Sequence, residues 1–489
     1  MAGAGHIAVV GGGVVGLSLV REALARGHEV TCIAPSAWQA DAASRAAGAM
    51  LGAFGEVTAH EPHDRSGAET AVRIQAARSY GGWLDALQQE AGRPVTHGTG
   101  TFIVANAASR DDVSNLDEIE RTAHANGERA ERVDTCDCFY LSPHPSWFPH
   151  AILFLPDEGF VDSGQLMSAL EVATSRHAKY KYVDQEAVDI EIEGRRVRLA
   201  DGATVAADHI IIACGTASTR LLRRAGLVPP GFPRLVGGKG SYAILEGEVR
   251  VPYVLRTPNR DFACGLHIIP RGGSRIYVGA TNRVELDDDF GTRPSLAELQ
   301  GLLYNVAHQF HTDLRRSAFV RAGSGSRPYS LDGKMIVGAL AGTAVSVATG
   351  TYRNGILLAP WIARAVLDEI ETGVTASADF SPNHRAGIAS SRAMEQIVER
   401  AFDDLMAYLL EPDGFMPFDR QQQMSRAMRA FFLALMAEGA ERQTFDRIHA
   451  LFRESYAPEL IPYMFERLAA GDTATLKSET GLDSLDFQS

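Results

Sequence analysis

One short run near the start of the chain limits its architecture more than any other feature. Residues Ile7-Ala8-Val9-Val10 form the unbroken apolar stretch that a strand buried on both faces requires, and Gly11-Gly12-Gly13-Val14-Val15-Gly16 follows at once. From Val14 to Arg26 apolar residues recur at helical spacing, Gly27 stands where a left-handed C-cap is wanted, and Glu29 to Ile33 reads as a second strand. Strand, G-x-G-x-x-G turn, helix and strand together make the unit in which glycines let a pyrophosphate approach the N–H groups of a helix N-terminus. Glycines serving only a tight turn are the alternative, and the order of the elements around them speaks against it.

The unit departs from its pattern at one place. Dinucleotide sites usually carry Asp or Glu about 20 residues beyond the motif to accept from the adenosine ribose. Here the second strand ends in Ala34, so the hydroxyl of Ser36, or a water, is the expected substitute. One lost charge-assisted hydrogen bond costs roughly 1.5 to 3 kcal/mol, which predicts modest affinity for the dinucleotide.

A chain of 489 residues exceeds what one hydrophobic core usually covers and predicts two or more domains. A formal charge of −13 opposes general binding to nucleic acid or to anionic membrane, both of which need a positive field. Cysteines at 32, 136, 138, 214 and 264 make neither a disulfide framework nor a metal pattern; the Cys136-Asp137-Cys138 triplet reads as an incidental loop. The fifteen histidines are scattered, so no metal is expected. With no apolar run near the roughly 20 residues of a membrane helix, and cysteine usage suited to a reducing compartment, the expectation is a cytoplasmic protein.

Further segments carry recognisable chemistry. Ser44-Arg45-Ala46-Ala47-Gly48-Ala49-Met50-Leu51-Gly52 is a run of small residues, and Asp208 to Gly215 reads as a buried strand ending in a glycine turn. The stretches Ile268-Ile269-Pro270-Arg271 and Val278-Gly279-Ala280-Thr281 have strand character. Late in the chain come Gly325-Ser326-Arg327-Pro328, Asp332-Gly333-Lys334, a strand over Ala344 to Ala348, the loop Thr349-Gly350-Thr351-Tyr352-Arg353-Asn354-Gly355, and a helix from Ile356. Pro143 to Pro149 reads as a proline-stiffened surface loop.

Taken together, these segments resemble the D-amino-acid oxidase superfamily of FAD enzymes, and within it the glycine oxidases, over roughly residues 6 to 375. The resemblance implies an α/β chain: a Rossmann-type FAD-binding domain from residues 1–85, 161–235 and 321–378, and an interleaved antiparallel-sheet substrate domain from 86–160 and 236–320. It implies FAD contacts at Gly11, Gly13, Val14, Val15 and Gly16, at Ser36, and at Ser44, Arg45, Ala49 and Met50 of the segment beneath the flavin. Val188, Ala213 and Gly215 are implied for the nucleotide half, and Arg327, Arg353, Asn354, Gly355 and Ile356 for the flavin half. A helix N-terminus at Gly355 and Ile356 would stabilise the negative charge of a reduced flavin ring.

By the same resemblance Arg327 clamps a substrate carboxylate, a role that suits a planar guanidinium offering two parallel donors. Arg353 comes second, as a contact to substrate or flavin. His267 stands where glycine oxidases tend to carry a substrate-facing tyrosine and is expected to reach the pocket. Asn282 and Thr351 also depart from the glycine-oxidase pattern, which predicts a substrate larger or more polar than glycine.

The implied reaction is oxidation of the C–N bond of an amino acid or N-substituted amino acid by hydride transfer to flavin N5, then imine hydrolysis, with oxygen or another acceptor reoxidising the flavin. Two alternatives stay open: cleavage of a secondary amine or N–N-linked amino-acid conjugate, and a non-catalytic flavin scaffold. The remaining 379–489 read as a helical C-terminal extension, with amphipathic segments at Ala393 to Leu410 and Gln421 to Ala437. Its apolar stripes are expected mainly to pack internally, with a homo-oligomer or protein-partner interface as the alternative.

Overall fold

The computed structural model describes residues 4–383, apart from 37–41, 60–62, 107–111, 136, 231, 234, 260–264, 286–292, 331–332 and 376. The C-terminal extension expected to be helical over 379–489 lies, from 384 onward, outside the described residues, as does Cys136.

The opening unit folds as its sequence requires. Strand β1 (His6–Val10) feeds helix α1 (Val14–Ala25), and β2 (Glu29–Ile33) returns parallel to β1, with Ile7 opposite Val30 and Val9 opposite Cys32. Alternation along β1 divides two cores. Ile7 and Val9 pack with Leu17 and Val20 of α1 and with Ile362 and Val366 of the helix Gly355–Thr372. Ala8 and Val10 face Ile190, Val197 and Leu199 of a small three-stranded antiparallel sheet. Each such aliphatic side chain, when fully buried, contributes roughly 1.5 to 3 kcal/mol, so a polar residue in either row would be costly.

A six-stranded sheet results, in the order Ile336–Ala339, Val345–Thr349, His209–Ile212, β1, β2 and Tyr180–Val183. Its neighbours run parallel except the edge pair Ile336–Ala339 and Val345–Thr349. Helices on a parallel sheet leave the carboxyl ends of the strands as the place where a ligand can sit.

The second sheet has ten strands. Its main path runs from Arg283–Glu285 through Leu235–Glu246, Arg275–Gly279, His267–Pro270, Val254–Arg256, His97–Asn106 and Pro149–Val161 to Met50–Leu51. Expected to be antiparallel, it contains one parallel pair, Val254–Arg256 beside His97–Asn106. The long strand Ala318–Ser330 also belongs here, paired along its length with Leu235–Glu246. Residues 321–330, expected with the nucleotide unit, therefore lie on the larger sheet. The stretch from Pro143 is less of a surface loop than its prolines suggest: Pro145–Trp147 is a single 3-10 turn with the Trp147 ring buried, and Pro149 opens a strand. No helix among the described residues is long and apolar enough to cross a membrane.

Candidate active site

A cavity of about 770 Å³ runs between the two sheets, bounded at one end by the β1–α1 turn and at the other by Arg327, Tyr352 and Arg353. Two helix N-termini border it. At α1 the N-cap is Gly13, without a side-chain cap and with no acidic residue in the first turn; at Gly355–Thr372 the N-cap Asn354 likewise makes no capping hydrogen bond. Backbone N–H groups and the positive ends of two dipoles thus meet one cavity, an arrangement suited to a long anionic ligand. Gly16 lies just behind the first turn, where a Cβ would come within 2.0 Å of the Gly11 carbonyl oxygen. That carbonyl is backbone and cannot give way.

The small-residue segment forms one wall and is held from three directions. The Val14 N–H donates to Ser44 Oγ at 2.9 Å. Arg271, reaching over from the larger sheet with its guanidinium on the Tyr277 ring, donates to the Gly48 carbonyl at 2.9 Å and to that of Ala47 at 3.3 Å. The Ser163 hydroxyl donates to the Ala47 carbonyl at 2.8 Å, and Tyr277 to that of Ala46 at 3.0 Å. Where the chain leaves this wall Ala49 takes a left-handed φ of 59°, and its carbonyl accepts from the Val161 N–H.

At the far end the register Gly238 opposite Arg327 and Gly240 opposite Gly325 decides the geometry. A Cβ on Gly240 would lie 2.1 Å from Arg327 Nη2, so glycine there is what lets the guanidinium cross the neighbouring strand. Arg327 Nη1 donates to the Thr281 carbonyl at 3.2 Å and to Asn282 Oδ1 at 3.0 Å, both neutral, and no carboxylate pairs with it among the described residues. The Asn282 amide donates in turn to the Tyr352 hydroxyl, which also accepts from Arg353 Nη2 at 3.0 Å. Arg353 lies on the Tyr352 ring, 4.5 Å from its centroid, and 3.6 Å from Glu56.

Glu56 is the hub of a buried charged cluster. It is 3.1 Å from Arg256 and accepts from the Asn259 amide at 2.9 Å, while Arg256 donates to Asn259 Oδ1 at 2.7 Å. Burial alone would raise the Glu56 pKa, but Arg256, Arg353 and the Asn259 hydrogen bond outweigh it and bring the carboxyl down to about 2. Unlike Arg327, Arg353 therefore has an anionic partner.

Of the residues expected to hold a cofactor, Gly11, Gly13, Val14, Val15, Ser44, Val188, Ala213, Gly215, Arg327, Arg353, Gly355 and Ile356 line the cavity together. Others do not reach it. Ser36 is exposed and its hydroxyl donates to Asp184 at 2.7 Å; Arg45 pairs with Glu171 at 2.5 Å; Asn354 donates to Glu69 at 3.1 Å; Met50 packs beside Phe160 and Tyr277. His267, expected to reach the pocket, lies behind the wall. Its ring stacks on Tyr277 within 5° of parallel, and Nδ1 is buried without a hydrogen-bond partner among the described residues. Burial, then the guanidiniums of Arg256 and Arg327, hold it neutral by keeping its pKa well below the ordinary imidazole value.

Residues 6–369 match the family described as FAD dependent oxidoreductase. The chain belongs to that family. It is 28% identical over 382 residues to the glycine oxidase of Geobacillus kaustophilus, covering 77% of this chain and 95% of that protein. To the glycine oxidase of Bacillus subtilis it is 25% identical, over 74% and 92% of the two chains. The crystal structure of the Geobacillus enzyme superposes with a TM-score of 0.68 at 25% identity, covering 78% of this chain and 99% of the other. This flavoenzyme takes FAD as its cofactor, and the two helix ends on one cavity, neither capped by its own N-cap side chain, fit a ligand with phosphates at one end and a charge-accepting ring at the other. Membership of an oxidoreductase family sets aside the non-catalytic scaffold.

Sequence reading missed Glu186, Arg220 and Arg224, which line the nucleotide end, and the clamp made by Arg271, Tyr277 and Ser163. It also missed the Glu56–Arg256 pair. Arg271 had a signal, a charged residue ending an otherwise apolar strand; the others carry none before the chain is folded.

Proposed function

We propose that this flavoenzyme oxidises the carbon–nitrogen bond of an amino acid or N-substituted amino acid whose carboxylate is held by Arg327. The observation that carries the reading is the charge state of that end of the cavity: Arg327 donates from Nη1 to neutral oxygens, whereas Arg353 is matched by Glu56. An anionic group entering beside the half-buried Arg327 completes a bidentate pair. Asn282 and the Thr281 carbonyl fix the guanidinium plane, so the substrate is oriented as well as attracted.

Bound FAD supplies the two-electron acceptor, with oxygen or another acceptor closing the cycle, and the helix end at Gly355 and Ile356 favours the negative charge of its reduced ring. His267 stays uncharged behind the wall and adds shape without adding a competing cation. Kinship with proteins named glycine oxidases supports an amino-acid substrate. Thr351, buried and lining the cavity, supports one larger or more polar than glycine; the polarity of Asn282 is already engaged by Arg327 and Tyr352.

An anaerobic screen of amino acids and N-substituted amino acids for bleaching of the flavin absorbance tests the reading. A carboxylated amine should bleach it, N-substituted or larger amino acids should outperform glycine in kcat/KM, and product mass should show an oxo acid and the released amine. Bleaching only by amines that lack a carboxylate would end the proposal.

A further inference from the structure

We infer that Glu186 supplies the ribose-binding carboxylate that the end of β2 lacks, so that the anchor for the adenosine half of FAD has moved to another strand. The usual acceptor would stand near Ala34, which offers a methyl group. Ser36 does not replace it, because it lies off the cavity wall, its backbone N–H and hydroxyl both donating to Asp184 on the exposed side.

Glu186 lines the same end of the cavity as Ile33, Ala34 and Pro35, two residues before Val188 on the way into the strand Ala187–Glu191. Its backbone is fixed, the carbonyl accepting from the Ala200 N–H at 2.9 Å. Its side chain is aimed by Arg220, also of the cavity wall, which donates to Oε1 at 3.1 Å. Oε2 makes no hydrogen bond among the described residues, and the side chain keeps 31% of its exposure. A half-open carboxylate on the wall of a nucleotide cavity, with one oxygen held and the other free of donors among the described residues, is placed to accept from the paired hydroxyls of a ribose. Arg220 also balances the charge, so the carboxylate does not repel the nearby phosphates of the cofactor.

The inference concerns cofactor binding and is independent of which amine is oxidised. The test is the FAD dissociation constant of full-length apoprotein, followed by quenching of flavin fluorescence, with FMN as the comparison because it lacks the adenosine half. Glu186→Ala should weaken FAD about tenfold to a hundredfold, the range for a hydrogen bond to a charged group, and leave FMN unchanged. Adding Ala34→Glu to that variant should recover most of the loss, which a purely structural role for Glu186 would not allow. Thermal unfolding of the apoprotein variants separates a lost contact from a damaged fold. An FAD affinity within twofold of wild type, or equal weakening of FAD and FMN, would overturn the inference.

Discussion

The two ends of the cavity are built from different materials. At the β1–α1 turn the ligand meets backbone, N–H groups and a helix dipole with glycines to make room, and the neighbouring side chains mainly stay out of the way. At the other end it meets side chains: Arg327 threaded over Gly240, Asn282 and Tyr352 linking it to Arg353, and Glu56 behind them. The turn itself should tolerate changes of charge and fail on added volume, with the Glu186–Arg220 pair beside it the exception; the second end should tolerate small changes of volume and fail on charge.

The sharpest way to break that contrast is Gly16→Val. Its Cβ would meet the Gly11 carbonyl at about the 2.0 Å found for any side chain there, so the turn must move and the purified protein should be colourless and refuse added FAD. Retained flavin would show that the turn is not backbone-limited. Next is Arg327→Ala, expected to lower kcat/KM for a carboxylated substrate by roughly two to three orders of magnitude while flavin content stays normal, with Arg327→Lys between the two. Stopped-flow flavin reduction reads both, and a loss of flavin instead would tie the two ends together.

Glu56→Gln should cost about 3 to 5 kcal/mol in unfolding free energy, because it strands Arg256 and Arg353 beside a neutral amide. Its pH signature follows from the lowered pKa. The ionised carboxylate stabilises the fold fully above the ordinary value of 4.5 and progressively less as pH falls towards about 2, so the gap between wild type and variant should narrow over that interval in denaturant titrations. A gap constant with pH would contradict it. The smallest effect belongs to Ser36→Ala, which removes a hydrogen bond on the exposed side and should change FAD affinity by less than about twofold by flavin fluorescence.

The contrast also accounts for what could be read in advance. Backbone sites are written in contiguous sequence: Ile7 to Gly16, then Glu29 to Ile33, announce strand, turn, helix and strand because one run of residues makes all of the contacts. Arg327 and the helix at Ile356 were reachable through kinship, since the residue type and its neighbours travel together. The Glu56, Arg256 and Asn259 cluster was not legible, because Glu56 lies some 200 residues before the other two and only the folded chain brings them together. His267 shows the limit of reading by position. Alternation on a strand gives two faces, and the packing of Tyr277 against the ring, unseen in sequence, chose the one behind the wall.

Arg271 ties the flavin-side segment, itself joined to the β1–α1 turn through Ser44, to the larger sheet through two carbonyl oxygens. Heat or denaturant that peels the halves apart must first open that joint, so cofactor loss and separation of the halves should coincide in a single melting event. Cutting the joint with Arg271→Met would let the halves loosen at a temperature where the dinucleotide's phosphates are still gripped.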